Sequence, residues 1–293
     1  VCLVFIFYET GSTETAIRLL IVGKAKSGKS TAANTILGTE KFTVGVGNQQ
    51  KTRECLLESE ERCGRTIEIL ECHGEFDTKN KHEDVPVDIA GALVGTHPGP
   101  HAILYVVSTV ERYADRELKL FLRLKRYLGS DVTKHMIVLL THGDLLHVPI
   151  EQFIRCAPQR FRQVLTECSY RYEVFGNRMT NNDSKIKTLL EKVDSLRSTN
   201  DDQYYQSELS RRIGQALEEE IKSREKHFEE TESQAAKHMQ ETLKQMAPEE
   251  AAKQSKGAQI QPKESARKDS TTRLVGNAVR ETKQTGGLKE IAF

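Results

Sequence analysis

Residues 23–30 read Gly-Lys-Ala-Lys-Ser-Gly-Lys-Ser. Glycine, four residues, glycine, lysine and serine is the spacing of a loop that cradles nucleotide phosphates. Gly23 and Gly28 permit the tight turn that points successive backbone N–H groups at an anion. Lys29 brings a charge to the outer phosphates, and the Ser30 hydroxyl is of the type that ligates Mg²⁺. The anion would rest on the N-terminus of the helix that follows, where unpaired N–H groups and the macrodipole favour negative charge. The candidate contact set is Gly23, Lys24, Ala25, Lys26, Ser27, Gly28, Lys29, Ser30 and Thr31. The flanks agree with it. Ile17–Val22 is an apolar run of strand length, and Thr31–Leu37 reads as a helix stopped by Gly38. A Gly/Ser-rich surface turn would match the four fixed positions by chance roughly once in a hundred chains of this length.

The rest of the first two thirds alternates. The pattern predicts strands at Ile17–Val22, Glu54–Glu60, Thr66–Glu71, Ala102–Ser108, Met136–Thr141 and Tyr172–Phe175. It predicts helices at Lys29–Leu37, Asp88–Val94, Asp115–Leu128, Ile150–Leu165 and Ser184–Leu196. Such alternation gives a three-layer α/β fold of the P-loop NTPase kind, with a mostly parallel sheet. The second and third strands are joined only by Glu61–Arg65, too short for a crossover helix, so this pair is expected to be antiparallel and to form one edge. Ligands bind such sheets outside the carboxyl ends of the strands.

Four stretches follow from this reading: an N-terminal tail over 1–14, a nucleotide-binding domain over 15–200, a helical extension over 201–247 and a low-complexity tail over 248–293. Val1–Tyr8 is apolar but far short of the roughly 20 residues a membrane helix needs. It reads as an extra strand or an irregular tail, and a chain beginning with Val is open to being a fragment. From Gln206 to Met246, Leu209, Ile213, Leu217, Ile221, Phe228, Ala235, Met239, Leu243 and Met246 make one apolar stripe among dense charges. This fits a helix or helix pair lying along the domain or projecting into solvent. It also fits a coiled-coil partner helix. Pro248 ends it, and the Lys-, Gln-, Ser- and Gly-rich remainder is expected to lack a packed core.

Lys and Arg number 43 against 42 Asp and Glu, so net charge points to no nucleic acid. The six cysteines (Cys2, Cys55, Cys63, Cys72, Cys156 and Cys168) make no Cys-x-x-Cys pair. Their spacing suggests neither a zinc site nor a disulfide framework, and the plain expectation is reduced thiols in a cytoplasmic protein.

The choice of base depends on Thr141-His142-Gly143-Asp144 at the end of the fifth strand. An aspartate there can accept from N1–H and the N2 amino group of guanine together, a pair adenine does not offer. Asp144 is equally suited to cap a turn. The surrounding residues carry a stronger signal. Pro-Gly-Pro-His-Ala-Ile-Leu-Tyr-Val-Val from Pro98, Glu-Arg-Tyr-Ala-Asp-Arg-Glu from Glu111 and Ile-Val-Leu-Leu-Thr-His-Gly-Asp-Leu-Leu from Ile137 stand in order. So do Asn34 and Ile36-Leu37-Gly38 after the loop, and Arg171-Tyr172-Glu173-Val174-Phe175-Gly176-Asn177. This set resembles the GTPases of immunity-associated proteins (the GIMAP or IAN family, TRAFAC-type P-loop GTPases) from about Thr15 to Leu196.

The resemblance implies GTP and GDP as ligands with Mg²⁺. It implies that Thr52 closes on the metal and the γ-phosphate, that Gly74 senses the γ-phosphate, and that Thr141, His142, Asp144 and Asn177 surround the guanine. It implies nucleotide-dependent homodimers or homo-oligomers, immune-type signalling or scaffolding, and cytoplasmic placement, in some members peripheral on organelle membranes. The unpaired alternatives for Thr52 and Asn177 are a loop and a turn residue.

One motif departs from the family. Its Asp-x-Pro-Gly is here Glu71-Cys72-His73-Gly74, with Glu75 rather than glutamine next. The resemblance implies that the aspartate reaches Mg²⁺ through a water; Glu71 keeps the charge for a metal set of Ser30, Thr52 and Glu71 but adds a methylene, so the water or the metal must shift. His73 could orient water, or be a surface residue. Slow hydrolysis would need help, and Arg112 of a partner copy could supply it as a catalytic finger. The alternative for Arg112 is an ion pair with Glu111 or Asp115. For the whole protein the alternatives are a hydrolysis-deficient, GTP-gated assembly module and, more remotely, an ATP-using phosphotransferase.

Overall fold

The computed structural model describes residues 16–44, 55–72, 87–176, 183–201 and 203–245. Val1–Tyr8, Thr52, His73, Gly74, Glu75, Asn177, Met246 and the segment from Pro248 lie outside the described residues.

Six strands form one sheet: β1 (Ile17–Gly23), β2 (Cys55–Arg62), β3 (Arg65–Cys72), β4 (Ala102–Ser108), β5 (Met136–Thr141) and β6 (Tyr172–Val174). Their order is β2-β3-β1-β4-β5-β6. Only β2–β3 is antiparallel; the other neighbouring pairs are parallel. The helices are α1 (Lys29–Leu37), α2 (Val87–Gly95), α3 (Asp115–Leu128), α4 (Ile150–Cys156), α5 (Gln159–Glu167), α6 (Asp183–Thr199) and α7 (Glu208–Gln245).

Alternation along the buried strands divides the core into two layers. Ile17, Leu19, Ile21, Ile67, Ile69, Leu104, Val106, Ile137 and Leu139 pack under α1 and α6. Leu20, Val22, Leu70, Ile103, Tyr105, Met136, Val138 and Leu140 pack under α2, α3, α5 and the start of α7. Strands buried on both faces read as continuous apolar runs, and β1, β4 and β5 do so.

Two expectations are corrected. Ile150–Leu165 is not one helix: it breaks at Ala157-Pro158, because Pro158 cannot donate to the preceding turn and its ring clashes with it. Second, Cys55 and Cys72 are not free thiols but a disulfide, at the open end of the β2–β3 ladder. Register brings them together. The hairpin turns at Cys63-Gly64, Arg62 faces Arg65, and counting outward places Cys55 opposite Cys72. Cys63, Cys156 and Cys168 are free.

The helical extension is one helix of 38 residues, about 57 Å long. Leu209, Ile213 and Leu217 pack on the core, whereas residues 222–242 are exposed, Phe228 and Met239 among them. So the helix lies along the domain at its start and projects beyond it. A clamp at the amino end of the sheet holds its approach. The Tyr205 N–H donates to the Pro100 carbonyl at 2.8 Å, and the Tyr205 hydroxyl donates to the Leu128 carbonyl. Arg18 stacks over the Tyr204 ring at 5.5 Å, and its Nε donates to the Gly99 carbonyl.

Candidate functional site

The carboxyl ends of β1, β3, β4 and β5 meet around the loop from Gly23 to Ser30. Glycine is required twice. A Cβ on Gly23 would lie 2.7 Å from the Val106 carbonyl and 2.9 Å from Ser27 Oγ. Gly28 sits in the left-handed region, at φ 91°, and starts α1. Lys29 is buried and curls over its own loop, where Nζ donates to the carbonyls of Gly23 and Lys24 at 3.1 Å each. Ser27 is buried, and its Oγ finds no hydrogen-bond partner among the described residues.

The loop is braced from two sides, by contacts that spacing in the sequence did not reveal. Thr141 Oγ1 donates to the Ser27 carbonyl at 2.6 Å, tying the end of β5 to the loop. Thr109 Oγ1 donates in turn to the carbonyls of Thr141 and His142. On the other side, Lys24 Nζ reaches Glu111 at 2.7 Å and Glu117 at 3.3 Å. These carboxylates, Glu111 first, hold the Lys24 ammonium above its ordinary range. Glu117 also accepts from the Ala114 N–H and so caps α3. The ion pair expected between Arg112 and Glu111 or Asp115 is not formed. Glu111 is taken by Lys24 and Asp115 by Arg160. Arg112 is exposed at the rim of the loop, immediately after Glu111.

Of the predicted metal set, the structure joins two. Ser30 Oγ donates to Glu71 Oε1 at 2.8 Å. Glu71 is only 1% exposed, and its Oε2 is buried without a hydrogen-bond partner among the described residues. A carboxylate with one oxygen unmet in a low-dielectric interior calls for a cation. Ser30 Oγ and the Glu71 carboxylate, one of its oxygens unmet, therefore suit a divalent ion carried on an anion, and the residues present fit Mg²⁺. Thr52 lies outside the described residues. No group of three His, Cys, Asp or Glu side chains that could hold a metal ion occurs among the described residues.

At the end of β5, His142 stands in the left-handed region at φ 60°. Its Nδ1 lies 3.1 Å from both Ser108 Oγ and Thr141 Oγ1, which anchors the ring to the ends of β4 and β5. Gly143 must lack a side chain, since a Cβ would lie 2.3 Å from Val174 Cγ1. Its N–H donates to the Phe175 carbonyl, joining this corner to β6 just before Asn177. Asp144 is exposed in the single 3₁₀ turn Gly143–Leu145, beside exposed Leu145 and Val148.

The comparisons with known proteins bear on this arrangement. Immune-associated nucleotide-binding protein 13 of Arabidopsis thaliana is 27% identical over 226 residues, covering 75% of this chain and 67% of the relative. GTPase IMAP family member 8 of Homo sapiens is 27% identical over 192 residues, 64% of this chain but 29% of the relative. Thus the chain spans about two thirds of the plant protein and under a third of the human one. A crystal structure of Toc33 from Arabidopsis thaliana, in a dimerization-deficient mutant, aligns with 67% of this chain and 91% of its own, at 18% identity and a TM-score of 0.49. A family model described as the AIG1 family matches residues 17–227, from the first strand through the loop and the sheet into α7. That match takes in every described residue of the site, and the chain belongs to the AIG1 family.

Proposed function

We propose that the chain binds GTP and GDP with Mg²⁺ and hydrolyses GTP slowly. The observation that carries this is the loop of 23–30, with Ser27 and Lys29 buried, Ser27 Oγ unmet, Lys29 turned inward, and Ser30 held against Glu71. Family membership supports the guanine nucleotide. In this reading backbone N–H groups of the loop and Lys29 hold the phosphates, Ser30 and Glu71 hold Mg²⁺ with Thr52, and Asp144 selects guanine with Asn177 near O6. Bound Mg²⁺ supplies neutralisation of charge on the β- and γ-phosphate oxygens. Lys29 must leave the Gly23 and Lys24 carbonyls for the phosphates, exchanging two neutral acceptors for an anion.

Self-association belongs to the same reading. Arg112 is exposed, and no hydrogen bond or ion pair engages it among the described residues, and in this reading it reaches the phosphates of a second copy. Scaffolding in an immune setting, and a cytoplasmic or peripheral membrane location, follow the family. No helix among the described residues is long and apolar enough to cross a membrane.

A second reading is a GTP-gated assembly module with little turnover, favoured by Glu71 in place of the family's aspartate. The deciding experiment measures guanine-nucleotide affinity and single-turnover GTP hydrolysis with Mg²⁺ over a series of protein concentrations. A rate that climbs with concentration supports pairing. Tight binding with no turnover at any concentration supports the module. Equal affinity for ATP and GTP, or none for either, would refute both.

A further inference from the structure

We propose that Glu71 binds the nucleotide's divalent cation directly, beside Ser30, in the place a water molecule occupies when the carboxylate is one methylene shorter. This rests on reading 23–31 as a nucleotide–Mg²⁺ site.

The backbone of Glu71 cannot retreat to make room for the longer side chain. It is paired with Ile21 of β1 on one side and Leu56 of β2 on the other. The next residue, Cys72, is buried and covalently tied to Cys55. The side chain is enclosed as well, so the extra methylene advances the carboxylate toward Ser30 rather than outward to solvent. A carboxylate that acts through a water stands about 2 Å farther from the metal than a ligand does, because metal–oxygen distances for Mg²⁺ are about 2.1 Å. One carbon–carbon bond of about 1.5 Å recovers most of that gap.

The separation of the two side chains agrees. Two neighbouring corners of an octahedron with bonds of about 2.1 Å lie about 3.0 Å apart. Ser30 Oγ and Glu71 Oε1 lie 2.8 Å apart. Both oxygens can thus sit on one cation as neighbouring ligands with little movement. The serine proton would pass from Glu71 Oε1 to another acceptor, for which Glu71 Oε2, buried and unmet, is at hand. The orphaned oxygen and the enclosed carboxylate are explained together. The cation would then carry one water fewer.

The test uses Mn²⁺ as the probe ion with GDP on the full chain. Waters on Mn²⁺ are counted from the broadening of its electron paramagnetic resonance lines in ¹⁷O-enriched water, for wild type and Glu71→Asp. The expected result is one water fewer in the wild type, and Mn²⁺ release to a chelator about tenfold slower than in the variant. Equal water counts would overturn the proposal, as would Mn²⁺ binding to Glu71→Asp but not to wild type, while GDP binding in both leaves the nucleotide reading standing. Absence of GDP and Mn²⁺ binding in both proteins would overturn that reading and this inference with it.

Discussion

Replacing Thr141 by valine is the sharpest probe of how the sheet holds the phosphate loop. Thr141 is 1% exposed, and its hydroxyl donates to the Ser27 carbonyl at 2.6 Å. Valine has the same shape and buries at least as much apolar surface, so a purely hydrophobic account predicts no loss. The hydrogen bond predicts otherwise. Losing it removes about 1 kcal/mol, and leaving the Ser27 carbonyl unmet adds about 1–3 kcal/mol. The new methyl would also stand where an oxygen approaches a carbonyl at hydrogen-bonding distance, so the loop must move outward. Thr141→Ser keeps the hydroxyl and gives up one methyl, which costs about 1 kcal/mol. Thr141→Val should therefore melt lower than Thr141→Ser. A loss of about 2 kcal/mol corresponds to about 4–8 °C for a domain of this size. If the same loss appears in loop order, GDP affinity falls about 30-fold. Thermal melts with and without GDP, and GDP titrations on the three proteins, read these quantities. A valine variant that melts with wild type and binds GDP as tightly would refute the claim that Thr141 braces the loop.

Four further outcomes are expected. Asp144→Ala should cut the preference for GTP over ATP by about 10²–10⁴-fold, at roughly 1.5–3 kcal/mol for each of two charge-assisted bonds, in competition binding. An unchanged preference would remove Asp144 from the base site. Peptide mapping without reductant should recover Cys55 and Cys72 cross-linked, with Cys63 alkylated; alkylation of all three would contradict the bridge. His101, whose Nδ1 accepts from the Arg18 N–H, is held down at about 3 by burial first and then by the charge of Arg18, so it folds neutral. Its contribution is whole above its unfolded value near 6.5 and drains as pH falls from there toward 3; His97 and His135, also lowered by burial, act in the same sense. Urea midpoints should fall over that window and fall less in His101→Gln; parallel curves would dismiss His101. Finally, Tyr205→Phe should melt several degrees lower than wild type because the Leu128 carbonyl loses its donor.

How much of this was legible in the sequence depends on how far apart the cooperating residues stand. Within one turn or one strand, spacing carries the geometry. The α1 helix runs over Lys29–Leu37, as expected from the loop before it and Gly38 after it, and β4 and β5 keep their expected bounds. The antiparallel edge followed from a linker too short for anything else. Contacts between distant segments obey no local period. Thr141 looks like an ordinary substitute at a base-contact motif, and only the β1–β4–β5 arrangement brings it under Ser27, 114 residues away. Lys24 looks like a variable loop position until the start of α3 brings Glu111 and Glu117 to it. The Cys55–Cys72 bridge is an intermediate case, because the pairing is encoded in the sequence but depends on the turn. Placing the turn at Cys63-Gly64 fixes the register, and the register fixes the pair, whereas a spacing of 17 residues on its own says nothing. Glu71 goes furthest the other way. Its departure from the family pattern is visible in one letter, yet its meaning rests on burial at 1% and a single hydroxyl 2.8 Å away. Fold follows from local periodicity summed over the chain, while the chemistry of the site depends on which distant side chains the sheet forces into contact.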